Sequence, residues 1–437
     1  MRIGLACALA LLAGCKSGDE PAADAAPPDA APPDAGGEGE GEGEGEGEDA
    51  GPEPAPRSWC NTQWPLETRA AVGFPSETLY TRVWVDGVTP SGGGNARLAV
   101  ELGVGPRDAD PATNAWTWTE ARLNAACADC GDDDEWMGTV VPGVASELAW
   151  AARVRWDGAV IQTCDRSDAG RRGSDDGWAA ADAPSLVASA PGNVTIVTHN
   201  LRCLIDDWDA RLPILADGIA ATAPDAVLLQ EVCAGDGRDA LPEIVTALAD
   251  RTGLEWTSER TVTHRAWDLY DEGLAILTPH RFAETLAVDL PPGGFPRKVL
   301  LARLIAPQGP IVVGATHLDF ADDAARADEA AAARDAAVDF ALPGEAIVLG
   351  GDWNERPFGP VGDALVAGDF VDLWADLHPG EDGFTFPSDA PGGRIDALWL
   401  RADASGFAPA AIDPIDDVPV GGVYASDHLG LAGTIAR

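Results

Sequence analysis

The sequence predicts an α/β region, two sheets packed between helices, preceded by an all-β sandwich. Three observations carry that expectation. Residues 58–190 break into short alternating strands between Gly, Pro and Asp turns. From residue 193 onward the strands become continuous and apolar, as for strands covered on both faces, and stretches of helical periodicity separate them. Those later strands also finish in acids, amides and histidines, a feature that bears on chemistry more than on fold.

Ahead of both regions lies a segment with no folding pattern. The chain of 437 residues opens "MRIGLACALALLAGC": one arginine, a short apolar run, then small residues. This is the layout of a secretory signal and is too short for a membrane span. Its end, Leu12-Ala13-Gly14-Cys15, resembles the lipobox of bacterial lipoproteins, which implies that residues 1–15 are a lipoprotein signal region whose cleavage leaves Cys15 as a lipid-bearing N-terminus. Export and lipid anchoring, at the outer membrane or cell surface of a Gram-negative bacterium, are the expectation. Residues 16–57 are Pro, Ala, Gly and acid without apolar periodicity, the composition of a solvated tether. The formal net charge is −43, and Lys16 and Lys298 are the only lysines. So acidic a chain stays soluble and repels polyanions, which disfavours nonspecific nucleic-acid binding. It leaves room for a substrate phosphate bridged by a divalent metal.

In residues 58–190 the strand signals are "TRVWVDGVT", "NARLAVELGVG", "AWTWTEARL", "WMGTVVPG", "LAWAARVRWDG" and "AVIQTCD". The region looks like an immunoglobulin-like accessory domain. In an exported chain, Cys60 near its start and Cys164 near its end are candidates for one bridge. Cys127 and Cys130 have C-x-x-C spacing, but no second such pair and no histidine lies near, so a local disulfide is preferred to zinc. Trp84, Trp116, Trp118, Trp136, Trp150 and Trp156 are either sandwich core or a platform for a carbohydrate or other surface ligand. No catalytic constellation shows in this region.

Residues 193–437 carry buried-strand patterns in "NVTIVTHNL", "DAVLLQEV", "EGLAILTP", "VLLARLIA", "IVVGATHL", "AIVLGGDWN", "IDALWL" and "SDHLGLAGTI". Helical periodicity fills "WDARLPILADGIAATAP" and an Ala-rich stretch over Asp322–Leu342. There is no G-x-G-x-x-G and no Walker sequence, so no nucleotide-cradling loop is indicated. Asn200, Glu231, His317, Asp352 and Asn354 sit where strands end, Asp396 opens a strand, and Asp427-His428 precede the last one. A lone strand-terminal acid is usually a turn residue. A whole set of metal, acid–base and amide side chains at strand ends of one region points to a site, because ligands bind where strand ends converge.

In order, "THN", "QE", "YDEG", "THL", "GDWN", "RID" and "SDH" resemble the motif series of the endonuclease/exonuclease/phosphatase family, the deoxyribonuclease-I-like fold. The resemblance runs from about Asn193 to the C-terminus and rests chiefly on GDxN followed by SDH. It implies a four-layer α/β sandwich and metal-dependent cleavage of phosphate esters. On it, Glu231 is the main metal ligand, with Asn200 beside it and Asp427 close by. Hard oxygen donors of this kind suit magnesium, with manganese or calcium as substitutes. His428 would donate to the phosphoryl oxygen or act as acid–base partner, with Asp396 fixing its tautomer. Asp352 would orient or deprotonate water, and Asn354 would bond the phosphate without adding negative charge. His317, Tyr270 and Glu272 match further catalytic positions of the deoxyribonuclease-like branch. Arg297 and Lys298 are candidates to reach the phosphate or, equally, solvent-facing charges. Cys203 and Cys233 would close a disulfide bracing the metal site. His199 should face away from Asn200, and His264, His280 and His378 match nothing.

The expected activity is a magnesium-dependent phosphodiesterase, most simply a surface-tethered nuclease, acting as a monomer. Sphingomyelinase-like phospholipases and inositol-phosphate phosphatases share the fold. Residues 193–437 hold 16 Lys+Arg against 40 Asp+Glu, which weakens the case for long duplex DNA and leaves oligonucleotides, nucleotides or phospholipid headgroups. A surface-displayed binding protein with a degenerate catalytic domain is the non-enzymatic alternative. It predicts missing catalytic residues, and none of the matched set is missing.

Overall fold

The computed structural model describes residues 54–89, 95–164, 166, 178–356, 359–402 and 405–437. The signal segment, Cys15 and nearly all of the tether lie outside the described residues.

The first ten strands are β1 (Ser58–Trp64), β2 (Glu67–Ala71), β3 (Leu79–Val85), β4 (Leu98–Pro106), β5 (Thr117–Glu120), β6 (Arg122–Leu123), β7 (Asp134–Gly138), β8 (Glu147–Trp156), β9 (Ala159–Thr163) and β10 (Ser185–Ser189). They make one sheet in the order β1-β3-β7-β6 and a second in the order β2-β10-β8-β4-β5, with β9 on β8. The alternation in β3 buries Leu79, Val83 and Val85 against Leu102, Trp150, Val154 and Leu186 of the other sheet. One pair, β2 with β10, is parallel. Cys60 is bonded to Cys164 across this core, and Cys127 to Cys130. Trp116, Trp136, Trp150 and Trp156 are buried. Trp118 is half-buried with the Arg153 guanidinium over its ring, 4.0 Å from the centroid. Core packing therefore takes up most of the tryptophans considered for a carbohydrate platform.

The rest of the chain comprises β11 (Asn193–Asn200), α1 (Trp208–Ala221), β12 (Ala226–Gly235), β13 (Arg238–Asp239), α2 (Ala240–Thr252), β14 (Thr257–Ala266), β15 (Tyr270–Thr278), β16 (Arg281–Asp289), β17 (Lys298–Ala306), β18 (Gly309–His317), α3 (Asp323–Phe340), β19 (Ala346–Asp352), α4 (Pro360–Val366), β20 (Val371–Asp372), α5 (Leu373–Leu377), β21 (Asp396–Arg401), β22 (Ala408–Ile415) and β23 (Gly430–Ala436). Two mixed sheets form, ordered β14-β15-β12-β11-β23-β22 and β16-β17-β18-β19-β21-β20. The two-residue period of a strand explains the layers. Ile196, Leu228 and Ile276 face Leu300, Val313 and Val348 between the sheets. Their strand neighbours Val197, Leu229 and Ala275 turn outward onto α1 and α2. Leu301, Leu349 and Trp353 turn outward onto α3 and α4. Helix, sheet, sheet, helix is the arrangement implied by the resemblance. Two of the three long helices start on a side-chain cap: the Asp322 carboxylate accepts the backbone N–H of Ala324 and Ala325 at the head of α3, and Asp239 that of Leu241 at α2. Residues 55–437 form a single contact unit.

Candidate active site

Strand direction brings the polar residues together. β11 and β12 are parallel, as are β18 and β19, so Asn200, Glu231, His317 and Asp352 reach one edge of the two sheets. β15 and β21 run antiparallel to these and begin at that edge with Glu272 and Asp396, paired across from Cys233 and Asp352. His428 enters just before β23. A cleft of about 530 Å³ opens there, and its walls include Glu231, Glu272, Arg297, His317, Asp352, Asn354, Asp427 and His428.

Two backbone departures aim side chains into it. The β12 ladder shifts register between Leu229 and Val232, with Glu231 at φ 52°. Asn354 also has positive φ, 53°, after Trp353, whose N–H is bonded to Ile395 O at 2.8 Å. Non-glycine residues in this region are uncommon and concentrate where function demands a direction. The Cys203–Cys233 bond ties the loop after Asn200 to β12 two residues beyond Glu231.

The His428 Nδ1 lies 2.9 Å from Asp396 Oδ2, and both residues are buried. That contact leaves Nε2 facing the cleft, 3.7 Å from Asp352 Oδ2. Burial opposes a charge on this ring, but the Asp396 and Asp352 carboxylates outweigh it and hold the imidazolium above the ordinary histidine range. Asp352 is pushed up by its own burial, against the pull of the His428 charge. Its Oδ1 accepts Asn354 N–H at 2.9 Å, and its Oδ2 accepts the Asn200 amide at 3.0 Å. His317 Nε2 is 3.6 Å from the same carboxylate, and burial, then the Arg297 charge, keep this ring neutral. Glu272 is pushed up to about 7 by burial and the nearby Glu231, which burial raises too. Arg297, buried 4.0 Å from Glu272, has no hydrogen-bond partner for Nε and Nη1 among the described residues.

Three expectations change. Asn200 turns its amide nitrogen toward the acids, at 3.0 Å from both Glu231 and Asp352, while its oxygen accepts Arg202 N–H. It holds the carboxylates together here, and ligation through oxygen would require its amide to rotate. Lys298 is outside the cleft lining and pairs with exposed Asp289 at 2.7 Å, so of these two cations only Arg297 lines the cleft. Tyr270 stacks edge-on against Trp267 and is outside the cleft lining. Asp427 does line it, tied to Arg202 at 2.8 Å. Asn354 lines the cleft, one amide hydrogen given to Leu318 O at 2.9 Å. His199 turns away, toward Asp416 at 3.2 Å.

The sequence reading missed His264 and the aromatic mouth. His264 is the cross-strand partner of Glu272, 3.8 Å away through Nε2. Pairing "THRA" with "YDEG" across the intervening turn was the available signal. Trp267 and Phe320, respectively 64% and 60% exposed, stand at the cleft mouth with Phe295.

The acids fit a divalent cation. Glu231, Glu272 and Asp352 are hard oxygen donors whose crowding and burial raise their pKa values, a cost that a bound cation relieves. Asp352, Asp396 and His428 also bring three donor atoms within 4.8 Å. His428 Nδ1 is already committed to Asp396, so that trio suits proton handling better than ligation.

A sequence profile of the endonuclease/exonuclease/phosphatase family matches residues 197–428. The chain belongs to that family. Its members are hydrolytic enzymes, nucleases and phosphatases among them, and generally use divalent metal ions. Similar solved structures include an endonuclease/exonuclease/phosphatase family protein from Leptotrichia buccalis, with 16% identity, 55% of this chain and 98% of that chain covered, and a TM-score of 0.47. D. rerio TDP2 complexed with single strand DNA product has 20% identity, 56% and 99% coverage, and a TM-score of 0.47. A family protein from Bacteroides vulgatus has 15% identity, 56% and 98% coverage, and a TM-score of 0.46. A search of curated proteins found no match.

Proposed function

We propose that this family member is an exported, lipid-anchored phosphodiesterase that hydrolyses unpaired nucleic acid with the help of magnesium. The observation that carries the reading is the His428–Asp396 pair facing Asp352 across a cleft walled by Arg297, whose Nε and Nη1 have no hydrogen-bond partner among the described residues. Phosphodiester hydrolysis needs charge neutralisation, a base for water and a donor to the developing oxyanion. Arg297 and imidazolium His428 supply two cationic donors. Asp352, its pKa raised toward neutrality, takes the proton of the attacking water, and the Asn200 and Asn354 contacts fix its plane. Glu231 and Glu272, with Asp427 close by, would hold the cation, which supplies Lewis-acid polarisation of the phosphate when bound.

Unpaired strands are favoured over duplex because the region is acidic while its mouth is aromatic. Trp267 and Phe320 offer π-faces to bases beside the scissile phosphate, a sequence-tolerant contact. A second reading, a sphingomyelinase-type phospholipase, draws on Leu269 exposed beside Trp267, an apolar tip that would enter a lipid surface. The deciding experiment is hydrolysis by wild type and His428→Ala of a single-stranded oligonucleotide, plasmid duplex, sphingomyelin and inositol phosphates, each with magnesium or EDTA. Oligonucleotide cleavage lost with EDTA and with the variant is expected. Cleavage of sphingomyelin alone would establish the second reading, and activity retained by His428→Ala would refute the mechanism.

A further inference from the structure

A second cleft, of about 610 Å³, opens where edge strand β2 of the sandwich meets the β15–β16 turn. It lies at the opposite end of β15 from Glu272, about 20 Å away at ~3.3 Å per residue. The active site does not use it. In a chain with 29 Lys+Arg against 72 Asp+Glu, this one cleft gathers Arg69, Arg107, Arg166 and Arg281, with Glu67 as the only carboxylate among its lining residues.

Among the described residues, Arg281 alone of these arginines has a carboxylate partner, Glu77, and its buried Nη1 has no hydrogen-bond partner. Arg107 is fixed by donating Nη1 to the carbonyls of Ala183 and Ala180, at 2.9 and 3.2 Å, which positions the guanidinium without neutralising it. Arg69 is exposed and makes no ion pair among the described residues. Like charges held this close repel unless an anion joins them. A cleft of this volume matches a small-ligand site in size. Beside the arginines stands Trp64, 50% exposed, with the Arg281 guanidinium over its ring at 5.3 Å. Planar guanidinium forks match the geometry of sulfate and phosphate oxygens, and the indole offers an apolar face to a ring.

We propose that this cleft binds an anionic saccharide bearing sulfate or phosphate monoesters, the arginines taking the ester oxygens and Trp64 stacking on a sugar ring. The strongly acidic chain around the cleft disfavours a long nucleic acid and favours a short, densely charged ligand whose anions reach the arginines. Such a site would position a tethered hydrolase on a charged polysaccharide surface, independently of what its active site cleaves.

The test is calorimetric titration of the full chain with a heparin-derived sulfated tetrasaccharide, a phosphorylated oligosaccharide, a neutral oligosaccharide of equal length, inorganic sulfate and a single-stranded oligonucleotide. Saturable binding of a charged saccharide is expected, with the sulfated and phosphorylated arms identifying the ester. Arg69→Glu should weaken it about tenfold or more, as loss of a charge-assisted contact plus repulsion. Trp64→Ala should weaken it less. Because Arg69 is exposed on an edge strand and outside the catalytic cleft, Arg69→Glu should retain wild-type melting and wild-type hydrolysis of bis-p-nitrophenyl phosphate. Equal binding of the neutral saccharide, unchanged affinity in Arg69→Glu, or preferential binding of the oligonucleotide or of sulfate alone would overturn the proposal.

Discussion

The two clefts solve opposite electrostatic problems. At the active site, acids are crowded and buried until their pKa values rise, and one imidazolium and one guanidinium sit among them. At the junction cleft, arginines gather with a single acid on the lining, in the open. On the readings proposed above, the first arrangement would take a cation and handle protons, and the second would take an anion and handle none. A charge cluster is therefore informative through what its members leave unbalanced, and the sign of that imbalance names the class of ligand.

The strongest test of this contrast removes chemistry from one cleft only. His428→Ala should lower phosphodiester turnover by about a thousandfold or more, since it deletes the donor on which Asp396 and Asp352 converge. Charged-saccharide binding should stay at the wild-type value and the fold should remain intact, with melting lowered because Asp396 loses its buried partner. Joint loss of turnover and saccharide binding, with the fold intact, would show that the clefts are not independent.

How far each cleft was legible follows from how the chain builds it. The candidate active-site residues lie in or beside strands that the apolar runs announce, so Glu231, His317, Asp352, Asp396 and His428 could be singled out from sequence, with their roles implied by the family resemblance. What strand alternation does not set was less legible. Glu231 owes its direction to a break in the β12 ladder, Lys298 was left undecided until the structure paired it with Asp289 outside the cleft lining, and the amide orientation of Asn200 depends on the Arg202 N–H, which no pattern encodes. The arginine cleft was invisible because its members come from β2, the loop after β4, the segment after β9 and the start of β16, joined only by packing. The sandwich strands were legible as strands, but the parallel β2–β10 pairing was not, since alternation says nothing of partner or direction.

The brace under the active site gives the next effect. Cys203→Ser with Cys233→Ser should cost about 3 kcal/mol of unfolding free energy, the usual scale for such a crosslink. Chemical denaturation of both proteins measures it. The variant should also need more magnesium for half-maximal activity, because the bond joins the loop after Asn200 to β12 beside Glu231. An unchanged magnesium requirement would make the disulfide purely structural.

Glu272 tests the acidic side through pH. Its folded pKa of about 7 lies above the ordinary carboxylate value, so the folded state holds a proton that the unfolded chain has already lost between about pH 4.5 and 7. Stability must then fall as pH rises through that window and level off above it. In EDTA, the wild type should lose on the order of 2 kcal/mol through this group, and Glu272→Gln should flatten that part of the profile. Melting at pH 5, 6, 7 and 8 reads the slope directly. An unaltered slope in the variant would place the crowding elsewhere, on Glu231 or Asp352.

The smallest effect belongs to the rim. Trp267 caps the turn between β14 and β15 with its ring mostly in solvent, so replacing it removes little buried surface and should leave melting unchanged. Its loss should remove one stacking contact, about 1 kcal/mol, raising KM for a single-stranded oligonucleotide roughly fivefold at constant kcat. Bis-p-nitrophenyl phosphate, which occupies only the centre of the cleft, should be hydrolysed as by wild type. If instead Trp267→Ala left the oligonucleotide unaffected and impaired vesicle-bound sphingomyelin, the aromatic rim would be a membrane contact, and the acids beneath it would serve a lipid headgroup.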